Sequence, residues 1–186
     1  MRKDFYFVGI FILVIWLVYI VDAFIPYAIN SWGVQPRTVS GLIGIPLMPL
    51  LHGGFYHVFS NTISLVILMA LLVGSQRQHW PIVVAIVIVN GVLVWLMGRS
   101  DSNHVGASGL IFGLIGFLIL NGFLAKKPLS IGIALLVGFL FGGTLISGVI
   151  PRIGSQVSWE GHLFGVIAGA AVAYFLAQKN KRIAWR

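Results

Sequence analysis

Ser108 sits in the run Val105-Gly106-Ala107-Ser108-Gly109, a turn of small residues at the mouth of an apolar segment. A serine hydroxyl attacks a carbonyl only when a base takes its proton, and neutral imidazole is the side chain suited to that near pH 7. His162, near the start of another apolar segment, is the candidate base. Attack on an acyl carbon also creates an oxyanion that needs N–H donors. The Ser108 backbone N–H at a helix N-terminus, the Asn61 amide and the His57 imidazole are the candidates, and His57 and Asn61, four residues apart, share one helical face. No carboxylate is positioned for a triad: Asp4, Asp22 and Asp101 belong to other parts of the chain, and Glu160 points away from His162 on its own helix. What remains is a Ser-His dyad oriented by packing.

These residues must be held by a membrane-embedded scaffold. Of 186 residues, 59% are hydrophobic and only 9% charged, and the mean hydropathy is +1.00, a composition that excludes a water-soluble domain of this size. The absence of cysteine excludes disulfides, thiolate metal sites and a cysteine nucleophile. The net charge of +8 comes from basic residues scattered at the ends of apolar runs, which argues for topology signals and against nucleic-acid binding. The first apolar run reads as a retained span and not as a cleaved signal peptide.

With about 20 apolar residues needed per span, the chain predicts an all-α, polytopic bundle of six transmembrane helices in a single domain over residues 1–186. The spans fall at approximately 5–24, 55–73, 81–97, 105–124, 129–150 and 157–178. Arg2, Lys3, Arg77, Lys126, Lys127, Lys179, Lys181, Arg182 and Arg186 then lie on one side, and only Arg37, Arg99 and Arg152 on the other. The positive-inside rule puts both termini in the cytoplasm of a multi-pass protein of the plasma or inner membrane. The basic tail from Lys179 reads as an anchor at an anionic leaflet. Residues 25–54, rich in Pro and Gly, predict a partly submerged outer loop with Tyr27 and Trp32 at headgroup depth.

On this topology His57, Asn61, Ser108 and His162 all fall at the outer ends of spans two, four and six, at one depth, although depth played no part in selecting them. Polar groups in a bilayer are costly, so such a coincidence is informative. Gly161, Gly165, Gly169 and Ala173 form a stripe on span six, and Gly109, Gly113 and Gly116 one on span four, which lets the two backbones approach closely. Phe112, one turn beyond Ser108, puts an aromatic ring beneath the hydroxyl. The ordinary role of a serine at a span start is a helix cap, and His57 and Asn61 could serve as interhelical glue. The shared depth favours catalysis. His79 and His104 are read as loop residues without a role.

The fragments His52-Gly53-Gly54-Phe55-Tyr56-His57-Val58-Phe59-Ser60-Asn61, Gly106-Ala107-Ser108-Gly109 and Gly161-His162-Leu163-Phe164-Gly165, in this order on spans two, four and six, resemble the rhomboid family of intramembrane serine proteases in its six-span bacterial form. The resemblance implies Ser108 as nucleophile, His162 as general base, and His57, Asn61 and the Ser108 amide as oxyanion donors. It implies a structural role for His52 and a packing role for Phe112 where the family often has tyrosine, with Gly106, Gly109, Gly161 and Gly165 supporting. Many members carry a Trp-Arg pair shortly before the first motif histidine; here Arg37 follows Pro36 further upstream. The implied substrates are transmembrane proteins cut near the outer face, admitted beside span two or five, with no cofactor and no metal. A zinc site built from His52, His57 and His162 lacks a ligating carboxylate and suitable spacing. A transporter would need a polar path at the midplane, where the spans are apolar. A non-catalytic, helix-binding relative would normally lack the serine or the histidine.

Overall fold

The computed structural model describes residues 2–25, 29–151 and 158–184, without the side chains of Arg2 and residues 181–184. The expectations for Tyr27, Arg152, Arg186 and Val157, and for the side chains of Arg2, Lys181 and Arg182, lie outside the described residues. Among the described residues, six helices are long and apolar enough to cross a membrane: α1 (Arg2–Phe24), α2 (Phe55–Ser75), α3 (His79–Met97), α4 (Ser108–Ala125), α5 (Pro128–Val149) and α6 (Trp159–Ala184). They form the predicted polytopic helical bundle.

Among the boundaries that differ from the sequence reading, three helix starts have a clear local reason. Helix α3 starts at His79 and not at Pro81, because a proline in the first turn gives up an N–H that has no helical acceptor. His79 is therefore a helix residue and not a loop residue. It is buried, its Nδ1 donates to the Gln76 carbonyl at 3.0 Å, and its Nε2 lies 3.4 Å from Asp4 of α1. Helix α4 starts at Ser108 and not at Val105, because Gly106 adopts φ +115°, a conformation that cannot continue a right-handed helix. Helix α6 starts at Trp159, where the Ser158 hydroxyl accepts the Gly161 N–H at 3.1 Å as a cap.

Helix α4 is the hub. Its sequence is apolar on every face, as expected of a helix surrounded by others, and 67% of its apolar window is buried against 11% for α1. It packs most extensively on α6. A Cβ on Gly165 would strike the Gly109 carbonyl, one on Gly169 would strike the Gly113 carbonyl, and one on Gly116 would lie 2.6 Å from the Val166 carbonyl. The predicted glycine stripes are therefore a backbone-to-backbone seam. Other glycines of the stripes face elsewhere first: the Cβ position of Gly161 meets the Ser158 cap at 2.7 Å, and those of Gly109 and Gly113 meet Asn90 and Ile86 of α3.

The outer loop is ordered by short helical turns, including Ile29–Trp32 and Gly44–Leu47. Val34 pairs with His104 in an isolated antiparallel bridge. Arg37, at φ 59°, donates to the Leu96 and Gly98 carbonyls at 3.0 and 2.9 Å and to the Ser100 hydroxyl. It thus satisfies carbonyls that the end of α3 leaves without helical donors. Trp95 returns the contact, its indole donating to the Thr38 carbonyl at 2.7 Å. The displaced arginine therefore clamps the loop to α3.

Candidate active site

Helix α2 carries His57 and Asn61 one turn apart at its start, and the extended segment before it carries His52. Asn61 Nδ2 lies 2.9 Å from His52 Nε2, and the Ala107 N–H donates to the same nitrogen at 3.4 Å. An acceptor of two N–H bonds must be unprotonated, so His52 carries its proton on Nδ1, which faces the Leu50 carbonyl at 3.4 Å. Burial, with the adjacent His57 adding to it, holds the His52 pKa down to about 4. His52 is a neutral strut linking α2 to the turn that leads into Ser108, and its ring lies edge-on to His57 at 4.9 Å.

Gly106 makes that turn possible. Beyond its positive φ, a Cβ at Gly106 would stand 2.6 Å from both Cε1 and Nε2 of His57 and 3.7 Å from Asn61 Nδ2. Its N–H donates to the Met48 carbonyl at 2.9 Å, tying the turn to the outer loop. The chain therefore runs directly past the His57 imidazole and the Asn61 amide before reaching Ser108. Ala107 holds the N-cap position with no side-chain cap, so Ser108 is the first helical residue and does not have the ordinary capping role. Ser108 is half-buried, and its N–H belongs to the first turn, where N–H groups lack helical acceptors.

The partner face comes from α6. Phe112, one turn along α4 from Ser108, stacks on His162 with ring centroids 4.1 Å apart and planes 3° apart. His162 Nδ1 lies 2.9 Å from the Gly148 carbonyl of α5. A carbonyl only accepts, so Nδ1 carries the proton and Nε2 keeps its lone pair. Gly148 leaves room for this stack, since a Cβ there would strike the Phe112 ring and approach His162 Nδ1 to 3.2 Å. Gly109 serves a different neighbour from the one expected: a Cβ there would strike the amide of Asn90 on α3, with the Gly161 carbonyl 3.4 Å away.

Around this core lies a polar network that the sequence reading did not assign. Glu160, almost fully buried, pairs through Oε1 with Arg99 Nε at 2.5 Å. His104, read as a loop residue without a role, is buried in the loop before α4, its Nδ1 2.6 Å from the Ser158 hydroxyl. Burial lowers its pKa, and the Glu160 charge opposes that shift. Asn90 was legible as a lone amide in the middle of an apolar span. Gly148 carried no signal, because its carbonyl is what acts.

A family model described as Rhomboid domain matches residues 37–179, which contain every residue of this site. An uncharacterized protein of Mycobacterium tuberculosis is 36% identical over 181 residues, covering 92% of this chain and 75% of that protein. Rhomboid-type serine protease B of Aspergillus fumigatus is 25% identical over 179 residues, covering 88% of this chain and 63% of that protein. RHOMBOID-like protein 5 of Arabidopsis thaliana is 30% identical over 128 residues, covering 64% and 40%.

Proposed function

The chain belongs to the rhomboid family and is a multi-pass membrane protein, and from that premise we propose that it is an intramembrane serine endopeptidase acting through Ser108 and His162. One observation carries the reading: the Gly148 carbonyl holds the proton of His162 on Nδ1, while Phe112, on the same α4 face as Ser108, holds the plane of the ring. A base so oriented offers Nε2 to a hydroxyl on α4.

In the proposed reaction His162 Nε2 takes the Ser108 proton as Oγ bonds to the scissile carbonyl carbon. Negative charge moves to the carbonyl oxygen, where the Ser108 N–H, the second N–H of the Asn61 amide and the His57 imidazole donate to it. Collapse breaks the C–N bond, and the imidazolium gives its proton to the departing amine. An ester on Ser108 remains. Water, deprotonated by the same nitrogen, then releases the acid product and restores the serine. The glycine seam and the Gly148 carbonyl take the orienting part that an acid plays in a triad.

The substrates on this reading are transmembrane proteins, cut near the outer face where their helices are weak enough to present an extended strand, with access beside α2 or α5. Residues 1–186 act as one transmembrane unit. Both termini are cytoplasmic, from the nine-to-three distribution of basic residues across the two faces. The test is labelling of the purified protein by a serine-reactive fluorophosphonate, alongside cleavage of a single-span substrate in vesicles. Ser108→Ala and His162→Ala should each abolish both signals while the protein remains folded. Cleavage that persists in Ser108→Ala protein would refute the assignment, and a folded wild type that binds membrane helices without labelling or cleavage would favour a non-catalytic helix binder.

A further inference from the structure

A cavity of about 350 Å³ opens between the ends of α2, α4, α5 and α6 that lie farthest from Ser108. Its lining mixes apolar surface with a group of polar side chains, Gln76, Asn121, Lys127, Ser130 and Asn180. Asn121 and Ser130 are each more than nine-tenths buried. Neither side chain has a hydrogen-bond partner among the described residues, so both present unused polar groups to the cavity. Their polar atoms open onto the cavity and not onto a protein partner, so a group bound there would find hydrogen-bonding atoms ready for it.

The character of the cavity is that of an anion site. Helix α5 begins at Pro128, with Lys127 at the N-cap and no side-chain cap, which leaves the Leu129 and Ser130 N–H groups without helical acceptors at the positive end of the helix dipole. Gly122 allows this end of α5 to lie directly against α4: a Cβ there would be 2.6 Å from the Ser130 carbonyl and would strike Ala134. That approach brings Ser130 beside Asn121. The Lys127 ammonium and the side-chain amides add donors from other directions. Arg77, Lys126 and Lys179 belong to the same end of the bundle, whereas the acidic residue there, Asp4, faces His79 at 3.4 Å. Leu124 and Ala177 supply an apolar wall, suited to the first carbons of an acyl glycerol and superfluous for a free ion.

We propose that this cavity, on the face opposite Ser108, binds a phosphate group, delivered as the anionic phosphodiester headgroup of a phospholipid from the adjoining leaflet. Basic pockets between transmembrane helices hold such headgroups by the same chemistry. The site is independent of the dyad, so the inference stands whether or not Ser108 is catalytic.

The experiment uses the full chain, purified in a neutral detergent and stripped of lipid. Retention of added phosphatidylglycerol, phosphatidylcholine and inorganic phosphate is measured by native mass spectrometry together with thermal unfolding. Wild-type protein should retain phosphatidylglycerol in preference to phosphatidylcholine and unfold at a higher temperature with it. Lys127→Gln and Asn121→Ala should each weaken retention about tenfold, the loss expected for one hydrogen bond to a charged group. Lys179→Gln, which removes a basic residue outside the cavity lining, should weaken it far less. Inorganic phosphate binding with the same dependence on Lys127, and without lipid retention, would overturn the lipid source while keeping the phosphate site. Equal retention of both lipids, or equal losses in Lys127→Gln and Lys179→Gln, would overturn the site itself, because a diffuse basic surface would account for the result.

Discussion

The imidazole of His162 lies parallel to the ring of Phe112, 4.1 Å away and within 3° of coplanar orientation. Together with the bond from Nδ1 to the Gly148 carbonyl at 2.9 Å, the stack restrains both rotations of the ring. Loss of the stack frees the ring plane, and a base misplaced by about 1 Å can cost 10²-fold in rate. Phe112→Ala should therefore lower kcat by about 10- to 100-fold with little change in KM, whereas Phe112→Tyr should retain activity. Cleavage kinetics on a single-span substrate would decide this, and wild-type kcat in Phe112→Ala protein would remove Phe112 from the site.

Asn61 and His52 are hydrogen-bonded to each other yet should fail in different ways. One N–H of the Asn61 amide faces His52 Nε2 at 2.9 Å, which leaves the other for an oxyanion that exists only after attack. Asn61→Ala should cost roughly 10²-fold in kcat, the usual loss for one oxyanion donor, with KM nearly constant. His52→Ala instead strands the buried donors of Asn61 and Ala107, and should destabilise the protein by roughly 1–3 kcal/mol. Paired kinetics and unfolding measurements distinguish the two roles. A pure stability loss in Asn61→Ala would make Asn61 a strut like His52.

The glycines separate in the same manner. At Gly169 a side chain would meet the Gly113 carbonyl and lie 2.9 Å from the Phe117 nitrogen, whereas Gly138 on α5 has nothing within 4 Å of its Cβ position. Backbone cannot yield as a side chain does, so Gly169→Val should fall at the upper end of the roughly 1–3 kcal/mol cost of overpacking. Gly138→Ala should be neutral or slightly stabilising, since alanine favours helix by about 1 kcal/mol. Thermal unfolding of both variants tests the seam, and similar behaviour would contradict it.

The contrast between Gly169 and Gly138 also marks what the sequence could disclose. Spacing exposed the α4–α6 seam, because a four-residue period of small residues has one geometric meaning in a bilayer. It also exposed the six spans, through length and hydropathy alone. Gly148 was silent, since any residue type has the carbonyl that meets His162, and only packing reveals why no Cβ fits beside it. Gly109 was assigned to the right stripe with an incomplete reason, because the Asn90 amide reaches it from a helix whose rotation the sequence does not specify. His104 does lie in a loop, but its burial could not be read from the sequence, because it depends on the outer loop folding back on α3 through Arg37 and Trp95.

The neutral state of His52 has a pH consequence. Its pKa is held at about 4 in the folded protein against an ordinary 6.5, so between those values the unfolded chain takes up a proton that the folded chain refuses. The contribution of His52 to stability is therefore complete above about pH 6.5 and declines as the pH falls toward 4. Protonation would also set an N–H on Nε2 against the Asn61 and Ala107 donors, withdrawing the strut from beside Ser108. Unfolding temperature and cleavage rate should both fall between pH 6.5 and pH 4. His52→Gln, which can accept a hydrogen bond but cannot titrate, should make the stability profile shallower across that interval, leaving the part that belongs to other buried groups such as His104. Identical profiles for the two proteins would assign the acid sensitivity to another group, and a wild type equally stable at both ends would show that His52 titrates alike in the folded and unfolded chains.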